Sequence, residues 1–187
     1  DLTFKSYSEL VECYRKQRSI PEEAFLQAIE NTNVMADMVE EFSLDTSPKY
    51  PHIYDNPEET FNNKIRTAVD NHPYLLKRYS REQIDKIINE EIDVYKKTKS
   101  VDFMLLETYM REWEKSQGIE SGYGRGSVSG SEVAYALGIT QMDSKKFGLN
   151  FFRFMNPSRV TNADIDTDYA SKDRDKVKEF LLKDRME

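Results

Sequence analysis

Apolar residues recur at helical spacing through the first 117 residues, a stretch that contains no glycine. Ser6-x-x-Glu9 has the form of a capping box ahead of Leu10, Val11 and Tyr14. Ser19-x-x-Glu22, with Pro21 early, predicts the start of a second helix with Phe25, Ala28, Ile29, Ala36 and Val39 on one face. Residues 43–55, with two prolines, read as an extended linker. Asn56-Pro57 opens a third helix with Phe61, Ile65, Ala68 and Val69 inward. Ser80-x-x-Gln83 opens a fourth, carrying Ile84, Ile87, Ile88, Ile92 and Tyr95. A fifth, near Val101 to Ser116, is apolar from Phe103 to Leu106 and again at Met110 and Trp113, and should be the most buried. This front part reads as core and solvated faces. His52 and His72 lie beside prolines and read as surface residues.

All seven glycines fall between 118 and 148. Gly122-Tyr-Gly124-Arg125-Gly126-Ser127-Val-Ser129-Gly130-Ser131-Glu132 enters a short helix, Ser131 to Leu137, that stops at Gly138. Closely spaced glycines let backbone N–H groups turn toward one point, and a helix N-terminus offers more unpaired donors to an anion. Arg125 and the hydroxyls of Ser127, Ser129 and Ser131 add to these. The segment is neither a Walker A loop nor a dinucleotide fingerprint. It also suits a turn with a good N-cap, Ser129-x-x-Glu132 being a capping box, and Glu132 should repel a phosphate.

Downstream, Ala163-Asp164-Ile165-Asp166-Thr167-Asp168-Tyr169 alternates with period two. The alternation predicts a strand with three carboxylates on one side and Ala163, Ile165 and Tyr169 on the other. Like charges so arranged call for a compensating cation. An EF-hand loop also begins D-x-D-x-D, but here position 6 is Tyr169, position 9 is Lys172 and position 12 is Asp175. Mg²⁺ on a strand fits better, and an exposed acidic edge strand remains the alternative. Paired aspartates for Mg²⁺ and a loop for phosphates are two halves of a nucleotidyl-transfer site. Arg153 and Arg159 precede the acidic run, and Lys172, Arg174, Lys176 and Lys178 follow it on a helix with Val177, Phe180 and Leu181 inward.

Four segments together carry a family resemblance. They are Gly124-Arg-Gly-Ser127 running on to Thr140, Phe152-Arg-Phe-Met-Asn-Pro-Ser-Arg159, Ala163-Asp-Ile-Asp-Thr-Asp168 and Lys172-Asp-Arg-Asp-Lys-Val177. Their order and spacing resemble the palm region of bacterial family C replicative DNA polymerases, the DNA polymerase III alpha subunits. The resemblance implies a predominantly helical α+β fold, with a nucleotidyltransferase-like palm whose small mixed β-sheet bears the Asp-x-Asp strand. It implies that 1–45 is the helical exit from an N-terminal PHP-like domain and 46–187 the N-terminal part of the palm, without thumb, fingers or C-terminal domains. Asp164 and Asp166 match the catalytic, metal-holding pair for two Mg²⁺ ions. Arg125, Gly126, Ser127 and Arg153 match the nucleotide-binding positions, and Asp168 matches an acidic position that is not a metal ligand. The implied activity is template-directed transfer of deoxynucleotides to a primer 3' end. Primer-template DNA and dNTPs are the implied partners in the full enzyme, with the sliding clamp reached through other regions, and the isolated fragment is expected to be inactive. Tyr123, where the family usually has proline, and Glu132, where it has an apolar residue, mark a divergent, phage-like member.

Composition narrows the alternatives. The net charge of −7 argues against an unaided nucleic-acid grip. Residues 1–118 hold 16 basic and 23 acidic residues against 11 of each from 119 on, so the acidity sits in front. No apolar run reaches the ~20 residues of a membrane span. One cysteine, Cys13, and two histidines cannot build a usual zinc site. The first residue, Asp1, points to a piece of a longer protein, and a cytoplasmic setting is the default. Two other function classes stay open: a catalytically inactive helical interaction module, and a calcium-binding structural domain.

Overall fold

The computed structural model describes residues 3–45, 47, 50–158 and 164–184. The chain divides into two compact units, Asp1–Ser47 and Pro48–Glu187. In the first, α1 (Tyr7–Gln17) begins at the Ser6/Glu9 capping box and pairs with α2 (Glu22–Asp37). Tyr14 stacks on Phe25 at 5.2 Å, and Arg15 reaches Glu22 at 2.5 Å across the turn. Ser19 does not cap α2. Pro21 holds the N-cap position without a side-chain bond, and the Ser19 hydroxyl donates backward to the Gln17 carbonyl.

The second unit is built on α3 (Pro57–Asn71), α4 (Leu75–Arg78), α5 (Arg81–Lys97), α6 (Val101–Ser116), α7 (Glu132–Ala136) and α8 (Ser171–Asp184). The Ser80/Gln83 capping box opens α5 as the spacing predicts. α3 packs on α6 and α7, and α5 packs on α7. Phe61, Ile65, Leu75, Ile84, Tyr95, Met104 and Leu105 are fully buried between them. Complete burial of each large aliphatic or aromatic side chain contributes about 1.5–3 kcal/mol. Tyr95 is the central ring, edge-on to Phe61 at 5.7 Å and to Phe151 at 5.6 Å. The turn α4 was not foreseen. The His72 ring caps it, its Nδ1 accepting from the N–H groups of Tyr74 and Leu75 while the ring packs at 4.6 Å on Tyr135. His72 is therefore half-buried rather than a surface residue, and burial lowers its pKa.

The expected mixed β-sheet is not seen among the described residues. Among the described residues there is no strand, and residues 164–168 run extended without a ladder. A single antiparallel bridge joins Ser121 to Tyr169, with the Gly122 N–H donating to the Asp168 carbonyl at 2.9 Å. The period-two pattern reports which way side chains face, whereas a strand also needs a neighbouring backbone to pair with. The fold seen is helical, with the acidic run as a bridged extended segment. Arg159, Val160 and Ala163 lie outside the described residues. No helix among the described residues is long and apolar enough to cross a membrane.

The fold has an unexpected buried anion. Glu91 on α5 is 3% exposed. Its carboxylate accepts from the Ser131 hydroxyl at 2.6 Å and from the N–H groups of Glu132 at 2.8 Å and Val133 at 3.0 Å. Ser131 in turn accepts from the Ala134 N–H and shares a 2.8 Å hydrogen bond with the Tyr95 hydroxyl. The start of α7 is thus neutralised from inside the protein. Glu91→Ala would leave these donors unsatisfied and is expected to cost ~2–4 kcal/mol in urea unfolding, against less than ~0.5 kcal/mol for the exposed neighbour in Glu90→Ala.

Candidate nucleotide and metal site

The glycine loop is shaped by two close approaches. Gly124 has φ +122, and a Cβ there would lie 2.3 Å from the Thr140 hydroxyl, which itself donates to the Tyr123 carbonyl. A Cβ on Gly130 would lie 2.7 Å from the Asn150 carbonyl oxygen, which is backbone and cannot move aside. Between them a 3-10 helix, Gly126–Gly130, buries Val128 and leaves Arg125, Gly126 and Ser127 exposed. Gly126 has φ +75, a conformation that disfavours any side chain. The approach at Gly130 seats this 3-10 helix against a second, Phe151–Arg153, so the nucleotide-binding candidate Arg153 is carried by the element packed on the loop, itself exposed.

The N-terminus of α7 does not serve as the expected anion site. Its first N–H groups already face Glu91 and Ser131. Ser131, not Ser129, is the N-cap. Nor does Glu132 face the loop as a repelling charge. It is fully buried and accepts from the Ser144 hydroxyl at 2.6 Å and the Lys145 N–H at 3.2 Å, and burial raises its pKa. The donors left for an anion are those of the loop itself and its arginines.

The acidic segment lies against this loop. Asp164, Asp166 and Asp168 are exposed, while Ile165, Thr167 and Tyr169 between them are half-buried. Exposed and half-buried positions therefore alternate along the run. The cation they call for is Arg125. Its Nη1 donates to Asp168 Oδ1 at 3.1 Å, and its Nε lies 3.6 Å from Asp166 Oδ2. Among the described residues no three His, Cys, Asp or Glu side chains converge tightly enough to cage a metal. The donor set, exposed carboxylates at Asp164 and Asp166, fits an open hard-cation site rather than a closed protein cage. An EF-hand arrangement does not fit, because what would be its second half is already helical from Ser171 and Tyr169 points into the protein.

Tyr169 fixes the far end of the acidic segment. Its hydroxyl donates to Glu114 Oε1 at 2.5 Å and accepts from Arg111 Nη2 at 2.6 Å. Arg111 is 7% exposed and also faces Glu114 at 3.0 Å and Glu107 at 3.7 Å. These α6 charges sit at i, i+4 and i+7, on one face of the helix. Helix α8 packs on α6 through other residues, with Phe180 stacked at 4.0 Å on Trp113 and Val177 buried beside Met110 and Ile119. The turn leading to Arg153 is anchored by another unforeseen residue. The buried Asp143 accepts from Arg78 at 2.9 Å, from the Tyr79 hydroxyl at 3.0 Å and from the Lys146 N–H at 2.7 Å.

Burial pushes the carboxyls of Glu91 and Glu107 up to about 7 and raises that of Glu114 as well. Between the ordinary carboxyl value of 4.5 and about 7 the folded state then binds more protons than the unfolded one, so stability falls as pH rises through that window. The melting temperature is expected to be several degrees higher at pH 5.5 than at pH 8. Glu107→Gln should flatten this slope and stabilise the chain at pH 8 by ~1–3 kcal/mol. Tyr169→Phe should destabilise it by ~1–3 kcal/mol at both pH values, because Arg111 and Glu114 lose their shared hydroxyl. Thermal scans of the three proteins check all of this.

Residues 58–184 match the family described as the bacterial DNA polymerase III alpha NTPase domain. The chain is 32% identical over 174 residues to the DNA polymerase III subunit alpha of Helicobacter pylori (strain J99), an alignment covering 83% of this chain and 14% of that protein. It is 34% identical over 168 residues to the corresponding protein of Aquifex aeolicus, covering 86% of this chain and 14% of that one. Against the Thermus aquaticus subunit it is 47% identical over 79 residues, covering 42% and 6%. The chain therefore spans a small part, 6–14%, of the length of these relatives. With 127 consecutive residues matched, the chain belongs to the bacterial DNA polymerase III alpha family.

Proposed function

We propose that residues 46–187 are the N-terminal part of the palm of a DNA-directed DNA polymerase, that 1–45 lead out of a preceding PHP-like domain, and that the loop and acidic segment form part of the nucleotidyl-transfer site. The reading rests on family membership and on one observation: Arg125, from the glycine loop, reaches both Asp166 and Asp168. The glycine loop and the acidic segment are thereby neighbours, as transfer of a nucleotidyl group requires.

In this reading Asp164 and Asp166 hold two Mg²⁺ ions. When bound, these would lower the pKa of the primer 3' hydroxyl and offset charge developing on the phosphate oxygens. The exposed N–H groups of Gly126 and Ser127 orient the triphosphate of the incoming dNTP, and the guanidiniums of Arg125 and Arg153 neutralise it. The buried contacts of Tyr169 and Glu91 hold the two segments in register, so the carboxylates need little reorganisation. Primer-template DNA binds mostly through the larger part of the protein, consistent with the net charge of −7 here.

In the longer protein, Asp164→Asn and Asp166→Asn are each expected to lower primer extension on the order of 10³-fold or more, with DNA affinity little changed. Chelation of divalent cations should abolish extension and added Mg²⁺ restore it. The 187-residue chain alone should extend no primer. Polymerisation that survives both Asp changes would favour an inactive interaction module instead.

A further inference from the structure

The contacts of Arg125 extend that reading, on which this inference rests. Its guanidinium spans two carboxylates two residues apart, bonded to Asp168 at 3.1 Å and lying 3.6 Å from Asp166. All three side chains are more than half exposed, so the contact is loose enough to exchange. Asp168 is the stronger partner, and its position is fixed twice. Its carbonyl accepts from the Gly122 N–H at 2.9 Å, and the next residue, Tyr169, is tied to Arg111 and Glu114. Gly122 and Asp168 are also in side-by-side contact, a Cβ on Gly122 falling 3.3 Å from Asp168 Cβ. Arg125 therefore meets a carboxylate carried on anchored backbone and has a second, Asp166, within reach of its other edge.

We propose that Arg125 is an internal counter-ion that holds the acidic face neutral before a divalent cation arrives, with Asp168 as the positioning residue that parks it beside Asp166. A cation entering between Asp164 and Asp166 displaces the guanidinium by like-charge repulsion. The released arginine, still on the glycine loop, is then free for an anionic ligand such as a triphosphate. Asp168 thus acts through Arg125 and touches neither metal nor nucleotide.

The test uses this chain with Mn²⁺ alone as probe, its binding followed by water-proton relaxation, together with the Arg125 Nε–H signal in NMR. Arg125→Gln is expected to tighten Mn²⁺ binding about two- to five-fold, the range exposed ion pairs allow. Asp166→Asn should remove that site. In the parent chain, Mg²⁺ should move the Arg125 Nε–H signal toward that of free arginine, and Asp168→Asn should do so without any metal. If Arg125→Gln binds Mn²⁺ no more tightly than the parent, whether both bind equally or neither binds, the counter-ion role is overturned. It is equally overturned if the Nε–H signal ignores Asp168→Asn. If Asp166→Asn binds Mn²⁺ as the parent does, the metal-site reading beneath it fails instead.

Discussion

The glycine loop and the helix after it hang on one buried carboxylate. Glu91 reaches from α5 to the first N–H groups of α7 and to Ser131, and Ser131 in turn meets Tyr95 at the centre of the core. An isolated carboxylate in an apolar interior is strongly disfavoured, and only the convergence of three donors makes it tolerable. That constraint runs both ways. The donors need Glu91 because four N–H groups at a helix start have no intrahelical partner, and Glu91 needs them because it has left water. The consequence is a loop whose conformation is set from beneath, leaving its upper side, Arg125 to Ser127, exposed.

A second set of buried charges does the same for the acidic segment. Arg111, Glu107 and Glu114 are buried along α6, and the Tyr169 hydroxyl ties Arg111 and Glu114 to the acidic run. Such networks contribute little net stability compared with apolar packing, but they specify one arrangement where apolar contacts would accept several. For a segment with one backbone bridge and no ladder, that specificity takes over the role a sheet would have played. The two anchors leave Arg125 to join the segments across a solvent-facing gap.

Placing the chain within a polymerase family and reading its geometry are complementary. The match to relatives gives the family, and the chain covers only 6–14% of those proteins. The geometry says something the match does not: before any metal is present, the acidic face is already paired with a cation from the loop.

Much of the architecture was legible from residue order. Capping boxes at Ser6 and Ser80, Pro57 at the start of α3 and the apolar faces of α3, α5 and α6 follow from local chemistry, and local chemistry is written in adjacent residues. The outward alternation of Asp164, Asp166 and Asp168 was legible for the same reason, and so was their need for a cation. What the sequence could not decide depends on partners far along the chain. Whether an alternating run becomes a strand depends on a neighbouring backbone, and among the described residues only Ser121 pairs with Tyr169. Whether a helix N-terminus is open to a phosphate depends on what else reaches it, and Glu91 arrives from 40 residues away. The burial of Glu107, Arg111 and Glu114 has no local sign in the sequence, since a charge is buried only where the tertiary structure supplies its opposite.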